Sequence, residues 1–310
     1  MLQCGKVNTM GSDSGLKKPL RKAVLPVAGL GTRVLPATKA IPKEMLPVFD
    51  RPAIQYVVDE ALAAGIEHII FVTGRNKSAI EDYFDRAYEL EDTLRMKGKS
   101  ALLEELEADL RPAGSMSFVR QQAPLGLGHA VWCARDIIGE EPFAVMLPDM
   151  IMMAKPSCLA QMADAYAKVG GNLIAVEPTD TPEQYGVIDP ESRPEGHGGR
   201  LLKMKGMVEK PKREAAPSNL FISGRYILQP EIFDLLASQQ AGAGGEIQLT
   251  DAMARLMGVQ PFHALEYEGT TYDCGDKLGY LRAFSAYALA NEEFGAKAAT
   301  ILKAALEKKY

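Results

Sequence analysis

The chain has 310 residues, of which 47% are hydrophobic, and its 40 acidic residues exceed its 35 lysines and arginines, giving a formal charge of −5. This is the size and composition of an ordinary globular protein, and the excess of acidic residues argues against nonspecific electrostatic binding of nucleic acid. No apolar run is long enough to span a bilayer, and Cys4, Cys133, Cys158 and Cys274 have neither disulfide-framework nor zinc spacing. We therefore expect a cytoplasmic protein with no nucleic-acid or membrane partner.

The chain opens with a polar segment and continues with alternating strands and helices. Residues 1–20 lack the apolar core of a secretory signal, and we expect a disordered leader there. An amphipathic helix is predicted at 53–65, where Ile54 and Val58 share one face. The predicted buried strands are KAVLPVAG, EHIIFVTG, SMSFVRQ, EPFAVMLPD and GNLIAVEP. This alternation predicts an α/β fold with a Rossmann-like, mostly parallel twisted sheet flanked by helices.

Two parts of the chain depart from this alternation of strands and helices. Segment 88–110 is charged and strongly helical, and we expect it to leave the sheet as an excursion. Beyond residue 180 the predicted strands are shorter, which indicates a smaller β region that covers the mouth of the first half. The predicted divisions are a leader (1–20), a main domain (21–292) with halves at about 21–180 and 181–275, and a C-terminal helix (293–310).

A glycine-rich loop follows the first predicted strand. In AGLGTR (28–33) glycine would let backbone amides approach an anion without side-chain obstruction. Arg33 and Lys43 add charge suited to a polyphosphate. GLG matches neither the dinucleotide fingerprint nor the Walker pattern, so a structural turn explains the glycines equally well. The three prolines of RVLPATKAIPKEMLP favour the phosphate site, because we expect them to impose an extended loop unsuited to helix or sheet.

The segment GLGTRVLPATKAIPKEMLP (29–47) resembles the signature loop of the sugar-1-phosphate nucleotidyltransferases, in detail that of the uridylyltransferases among them. The related thymidylyltransferases usually have a G-G-S-G-T-R loop, which this chain does not match. Each further match is weak alone, but their order within about 21–280 makes the set specific. They are RQQAPLGLGHAV, LPDM, EQYGVID, VEKP, APSNLFISGRYIL, GEIQLTDA and YDCGDKLGY.

The resemblance implies a reaction, a cofactor and an assembly. The reaction is transfer of a uridylyl group from UTP to glucose 1-phosphate, which yields UDP-glucose and pyrophosphate by in-line attack without a covalent intermediate. The implied cofactor is Mg²⁺, and the implied assembly is a homodimer or homotetramer, with the apolar face of the last helices as a candidate interface. The half at 21–180 would bind the nucleotide, and the half at 181–275 would bind the sugar.

The resemblance also assigns roles to individual side chains and backbone positions. The implied groups are catalytic Arg33, Lys43 and Lys210; nucleotide-binding Ala28, Gly29, Glu44, Gln121 and Gly126; sugar-binding Gly186, Glu209 and Asn219; and metal-binding Asp149 and Asp273. The amide of Gln121 can both donate and accept, so it can read the edge of uracil. Lys210 would hold the sugar phosphate, while Arg33 and Lys43 would hold the triphosphate.

Local structure offers alternatives for several of these residues. Asp149 follows a buried strand, where aspartates commonly cap helices or turns. Asn219 is explained equally well by capping, and Gln121 precedes a loop that contains proline and glycine. A solvated ion pair is the alternative for Glu209 and Lys210, although neighbours on a strand point to opposite faces and make poor partners.

The remaining candidates show no pattern typical of chemistry. The histidines are His68, His129, His197 and His263. Their spacing indicates neither a metal site nor a proton relay, and we expect each to be structural or exposed. Trp132 follows helical spacing and is expected to pack, and Glu246 and Thr250 are expected to position a helix start.

Other functions remain open alternatives. The same fold could use dTTP or another sugar 1-phosphate, because Gln121 and its neighbours do not settle the choice of base. A non-catalytic sugar-nucleotide-binding regulatory subunit would be expected to lack a charged motif residue, whereas this chain keeps them. A nicotinamide-dependent oxidoreductase has less support, because the dinucleotide fingerprint is absent.

Overall fold

The computed structural model describes residues 18–194, 198–238 and 245–308. All but the last three residues of the predicted leader (1–20) lie outside this part of the chain, and so does His197. Among the described residues, none of the helices has the length and apolar character needed to cross a membrane.

Strands and short helices alternate along the described chain. The strands are β1 (Lys22–Pro26), β2 (Pro47–Val48), β3 (Arg51–Pro52), β4 (His68–Thr73), β5 (Met116–Arg120), β6 (Phe143–Met146), β7 (Met150–Met153), β8 (Asn172–Pro178), β9 (Gly186–Ser192), β10 (Leu201–Glu209), β11 (Leu220–Leu228), β12 (Phe262–Glu266) and β13 (Thr270–Asp273). The helices are α1 (Ala53–Ala63), α2 (Ser78–Phe84), α3 (Tyr88–Met96), α4 (Ser100–Ala108), α5 (Leu127–Trp132), α6 (Arg135–Ile138), α7 (Cys158–Val169), α8 (Ile232–Ala237), α9 (Leu249–Leu256), α10 (Lys277–Ala290) and α11 (Gly295–Glu307).

Within the described ranges, nine strands form one sheet in the order β5-β4-β1-β6-β11-β8-β12-β10-β9. The first four are parallel neighbours, as the sequence predicts, and β12 is parallel to β8. However, β11 is antiparallel to β6 and β8, and β10 is antiparallel to β9 and β12. The α/β class is confirmed, but the sheet is mixed rather than mostly parallel. Successive strands such as β9 and β10 are joined by a short connection, which favours antiparallel pairing.

The two predicted halves share this sheet. β11 belongs to the second half of the sequence, yet it lies between β6 and β8 of the first half. Both faces of the sheet are covered, as expected: Ala23 and Leu25 of β1 pack into one buried cluster with α1 and α7, and Val24 packs into the other with α5, α8 and α9. This arrangement explains why β1 reads as a continuous apolar run.

A second, two-stranded sheet brings a late segment of the chain to the end of β6. β7 follows β6 after a tight turn and pairs antiparallel with β13, with Asp273 opposite Met150. The helices α10 and α11 follow directly. The helical excursion expected at 88–110 is present as α3 and α4, which pack against each other.

A buried ion pair joins four elements next to that turn. Arg225 of β11 has no exposed surface, and its Nη2 lies 2.8 Å from Oε2 of Glu60 on α1. Glu60 Oε1 also accepts from the amide of Leu159 at the start of α7, at 3.0 Å. Arg225 Nη1 donates to the carbonyl of Leu147 at 3.0 Å. The pair therefore fixes α1, α7 and β11 against the segment that follows β6.

We predict that Arg225→Met lowers the free energy of unfolding by about 3–5 kcal/mol, because it leaves the carboxylate of Glu60 buried and unpaired. Urea denaturation measures this change. Lys203→Met is the control, since Lys203 and Glu191 form an exposed pair whose loss should cost less than about 1 kcal/mol. Equal losses in the two variants would contradict the assigned role of the buried pair.

Candidate active site

The glycine-rich loop after β1 folds into three short 3₁₀ turns, at Thr32–Val34, Ala37–Lys39 and Lys43–Met45. The expectation of an extended loop is therefore wrong. Pro36 and Pro42 directly precede the second and third turns, where the fixed φ of proline suits the start of a helical turn. The hydroxyl of Thr38 donates to the carbonyl of Gly31 at 2.7 Å and ties the loop to itself.

Lys43 and Asp149 meet as a short ion pair. Lys43 Nζ lies 2.5 Å from Asp149 Oδ2, and both side chains are about one-sixth exposed. Burial is the largest influence and opposes both charges. The mutual attraction of the pair, together with Glu44 near Lys43 and Arg33 near Asp149, outweighs it, so the pKa of Lys43 is raised and the pKa of Asp149 is lowered. No helix begins at Asp149, which lies in the turn between β6 and β7.

Asp273 lies beside Asp149 because β13 pairs with β7. The amide of Cys274 donates to the carbonyl of Asp149 at 2.7 Å, and Asp273 Oδ1 accepts from the amide of Gly275 at 2.7 Å. Burial raises the pKa of Asp273, and the negative charge of Asp149 raises it further. Two carboxylates thus converge where the repulsion between them would be relieved by a cation.

This pair of carboxylates fits the chemistry of Mg²⁺. The described residues contain no group of three or more acidic, histidine or cysteine ligands that would form an all-protein metal cage. Mg²⁺ commonly takes only one or two protein carboxylates, with water and substrate phosphates as its other ligands. Asp149 and Asp273 supply that number of ligands.

Arg33 packs directly over Gly275. A Cβ atom added at Gly275 would lie 2.5 Å from Nη2 of Arg33 and 2.7 Å from Oδ1 of Asp273. Only glycine leaves room for this approach, and the positive charge of Arg33 favours ionisation of both Asp149 and Asp273. The motif YDCG therefore contributes its glycine as well as its aspartate.

A cleft of about 210 Å³ connects these groups to the second half of the chain. Glu209 and Lys210 both line it, together with Arg33, Asp149 and Asp273. β10 ends at Glu209, so the predicted placement of the two neighbours on opposite faces of a strand does not apply.

Lys210 and Glu209 are each held by a neighbouring group. The backbone of Lys210 turns to φ 44°, and its amide donates to the carbonyl of Tyr185 at 3.0 Å. Glu209 is opposite Gly186 in the β9–β10 pairing, and its Oε2 accepts from the hydroxyl of Thr250 at 3.0 Å. No ion pair joins Glu209 to Lys210 in the described part of the chain.

Gln121 and Gly126 lie together at the end of β5. Gln121 is 7% exposed, and its Nε2 donates to the carbonyl of Gly126 at 3.0 Å and to Nδ1 of His129 at 3.1 Å. Gly126 has φ 98°, and a Cβ there would lie 2.8 Å from the carbonyl oxygen of Ile247. The segment after β5 is thus pressed against the segment before α9.

Glu44 lies in a different environment from the exposed part of the loop. Its side chain is 1% exposed, and its Oε2 accepts from Lys77 at 2.8 Å. Burial raises the pKa of Glu44 while the ammonium of Lys77 opposes that shift, and Oε1 has no hydrogen-bond partner among the described residues. Ala28 and Gly29 begin the loop, where Gly29 lines a separate cleft of about 230 Å³ with Lys77.

Two expectations from sequence differ from the observed positions. Asn219 is exposed, does not line the cleft that contains Glu209, and uses its carbonyl to accept from Thr179 at 2.8 Å; its sugar-binding role stays a prediction. The sequence predicts that Thr250 positions a helix start, but α9 has no side-chain cap from the described residues and the hydroxyl of Thr250 donates to Glu209 instead. A helical threonine carries no sequence signal for such a distant partner.

The sequence matches the family model described as nucleotidyl transferase over residues 22–289. The chain therefore belongs to the nucleotidyl transferase family, as the motifs indicate. Within it, the chain is 51% identical over 278 residues to the UTP–glucose-1-phosphate uridylyltransferase of Bacillus subtilis (strain 168), an alignment that covers 89% of this chain and 94% of that protein.

Solved structures give the same grouping. A UTP-bound UGPase from Acinetobacter baumannii is 46% identical with a TM-score of 0.84, and the match covers 94% of this chain and 100% of that one. A UDP-glucose pyrophosphorylase complexed with UDP-glucose is 43% identical with a TM-score of 0.77, covering 86% and 98% of the two chains. The resemblance found in the motifs is thus confirmed over most of the chain.

We predict that Gly275→Ala lowers kcat/KM for nucleotidyl transfer about 100-fold, because the added methyl group displaces Arg33 from the carboxylates. Pyrophosphate release measures the rate. Gly206→Ala is the control, since a Cβ there would make only an ordinary contact, 3.5 Å from Cβ of Asp189. An unaffected Gly275→Ala enzyme would show that the approach of Arg33 is not needed.

Proposed function

We propose that this chain transfers a uridylyl group from UTP to glucose 1-phosphate, forming UDP-glucose and pyrophosphate. The observation that carries the proposal is the cleft that Arg33, Asp149, Asp273, Glu209 and Lys210 line together. It combines cations for phosphates, carboxylates for a metal and a glutamate for sugar hydroxyls. The names of the relatives and the two ligands in the similar structures support the same reaction.

The cations align and neutralise the phosphates. Arg33 and Lys43 hold the triphosphate and the departing pyrophosphate, and Lys210 holds the phosphate of the sugar. The attacking oxygen is already an anion, so the reaction needs no general base and no covalent intermediate. The protein instead overcomes the repulsion between two phosphates and stabilises charge as it spreads over the transferring group.

Asp149 and Asp273 would hold Mg²⁺. When bound, the ion neutralises charge on phosphate oxygens and helps to align the α-phosphate. Lys43 already lies against Asp149, so its ammonium is positioned to contact a phosphate that approaches these carboxylates. The two charges hold each other in place before substrate arrives.

The remaining groups select the two substrates. Glu209 binds sugar hydroxyls, Thr250 orients its carboxylate, and Gly186 lets the sugar ring approach the backbone. Gln121 and Gly126 contact the base. On the nucleotide side we also include Ala28, Gly29 and Glu44, and on the sugar side Asn219.

We further propose that the protein acts in the cytoplasm as a homodimer or homotetramer. Large apolar side chains are exposed on the last two helices, among them Leu278, Leu281 and Leu306. Such side chains on adjacent elements are typical of a surface that another subunit covers.

The test of the reaction is pyrophosphate release by purified protein with Mg²⁺, glucose 1-phosphate and, in turn, UTP, dTTP, CTP, ATP and GTP. We expect release with UTP that depends on the sugar and stops when EDTA removes the metal. A preference for dTTP would indicate a thymidylyltransferase. No pyrophosphate release with any nucleotide would support a non-catalytic binding subunit. Excess Mg²⁺ added after EDTA should restore the rate.

We predict that Lys210→Ala folds normally but loses about 100- to 1,000-fold in kcat, the effect of deleting one electrostatic donor. Alanine has no more difficulty than lysine with φ 44°, so the backbone is not newly strained. The matched control is Lys212→Ala, which removes an exposed lysine outside the cleft. Circular dichroism checks the fold, and an unfolded Lys210→Ala protein would count against a purely catalytic role.

A further inference from the structure

Both N–H protons of the Gln121 side-chain amide are engaged inside the protein. Nε2 donates to the carbonyl of Gly126 and to Nδ1 of His129, whereas Oε1 has no partner in the part of the chain that the structure describes. A backbone carbonyl only accepts, so the contact with Gly126 establishes which end of the amide is nitrogen. The amide therefore presents an acceptor, and no free donor, to a ligand.

The backbone around this amide is held on both sides. The amide of Gln121 donates to the carbonyl of Thr73 at 2.8 Å, which continues the β4–β5 alignment. Ile247 donates to the carbonyl of Leu125 at 2.7 Å and accepts from the amide of Gly128 at 2.8 Å. Rotation of the side chain is thus the remaining freedom, and the carbonyl of Gly126 and Nδ1 of His129 together restrain it.

His129 can accept from Gln121 only as a neutral ring with its proton on Nε2. Burial lowers the pKa of His129, which favours that form. The ring lies beside Trp132, with centroids 5.8 Å apart. The thiol of Cys133 also faces Nδ1, at 3.8 Å, and is a weaker donor than an amide.

We infer that His129 is a positioning residue for base selection: it holds Nε2 of Gln121 so that only the acceptor Oε1 faces the nucleotide base. Uracil offers one N–H on its pairing edge, at N3, and Oε1 accepts it. Cytosine has a lone pair at N3, so two acceptors would oppose each other. This inference rests on the proposed contact between Gln121 and the base and adds a direction to that hydrogen bond.

The direction of the bond differs from the sequence-based expectation. That expectation let the amide both donate and accept towards uracil, and it treated His129 as structural or exposed. Thymine has the same N3–H as uracil, so the fixed orientation of the Gln121 amide does not discriminate between UTP and dTTP. This orientation discriminates between bases that have a hydrogen-bond donor at N3 and bases that do not.

The test compares kcat/KM for UTP and CTP in variants at His129. His129→Leu removes one of the two acceptors that hold Nε2 of Gln121, so rotation of the amide to donate to N3 of cytosine costs one hydrogen bond less. We expect the UTP-to-CTP ratio of kcat/KM to fall about tenfold, the effect of roughly one hydrogen bond. The loss for UTP should appear in KM rather than kcat, because the base lies away from the reacting phosphorus.

Two further variants at this position separate the acceptor from the bulk of the ring. Asparagine at 129 can place Oδ1 near the position of Nδ1, so His129→Asn should keep the ratio within about threefold of the parent enzyme. His129→Gln places its amide near the position of Nε2 instead and should lower the ratio as leucine does. It also serves as the test variant if the leucine variant does not fold.

His68→Leu is the matched control. His68 is another partly buried histidine with a lowered pKa, and it bonds Ser117 at 2.9 Å, at the start of the parallel strands rather than their end. Its loss should leave the ratio unchanged. A ratio unaffected in His129→Leu and His129→Gln, or equally lowered in His129→Asn, would overturn the inference while UTP turnover persists. If the parent enzyme releases no pyrophosphate with any nucleotide, the proposed function is overturned as well.

Discussion

The buried contact between Glu60 and Arg225 constrains the position of the whole site. Arg225 holds the Leu147 carbonyl, and the Leu147 amide in turn donates to Gly224 at 2.9 Å. Two residues later comes Asp149, the carboxylate that pairs with Lys43. A charge pair deep in the protein therefore constrains the position of the proposed metal-binding carboxylate, and the cost of burying both charges is offset by hydrogen bonds to two backbone groups.

Opposite charges also hold the loop in shape in the absence of substrate. Lys43 pairs with Asp149, and its neighbour Glu44 pairs with Lys77, so adjacent residues of one 3₁₀ turn are anchored to the turn after β6 and to the residue before α2. The groups that we propose for phosphate binding are thereby arranged in advance rather than gathered by the ligand. Such arrangement is a main source of electrostatic catalysis, because the dipoles and charges do not need to reorganise during the reaction.

The sequence predicted the class of fold and the signature loop well, because strand periodicity and motif order are local signals. It missed that β11 enters between β6 and β8, since strand order depends on contacts between residues far apart in the chain. The contact of Thr250 with Glu209 and that of Arg33 with Gly275 were hidden for the same reason. The prolines of the loop favour extended structure in a reading of the sequence, yet the fixed φ of proline is also compatible with the position directly before a helical turn.

The pairing of β7 with β13 makes the order of synthesis matter. Asp149 is made in the middle of the chain, whereas Asp273 and the strand that carries it come near the end. On the ribosome, strands β1, β4, β5 and β6 and the glycine-rich loop are synthesised long before β13. At that stage the chain contains the proposed phosphate-binding cations but only one of the two carboxylates. The pair of carboxylates is thus complete only when synthesis of the protein has almost ended.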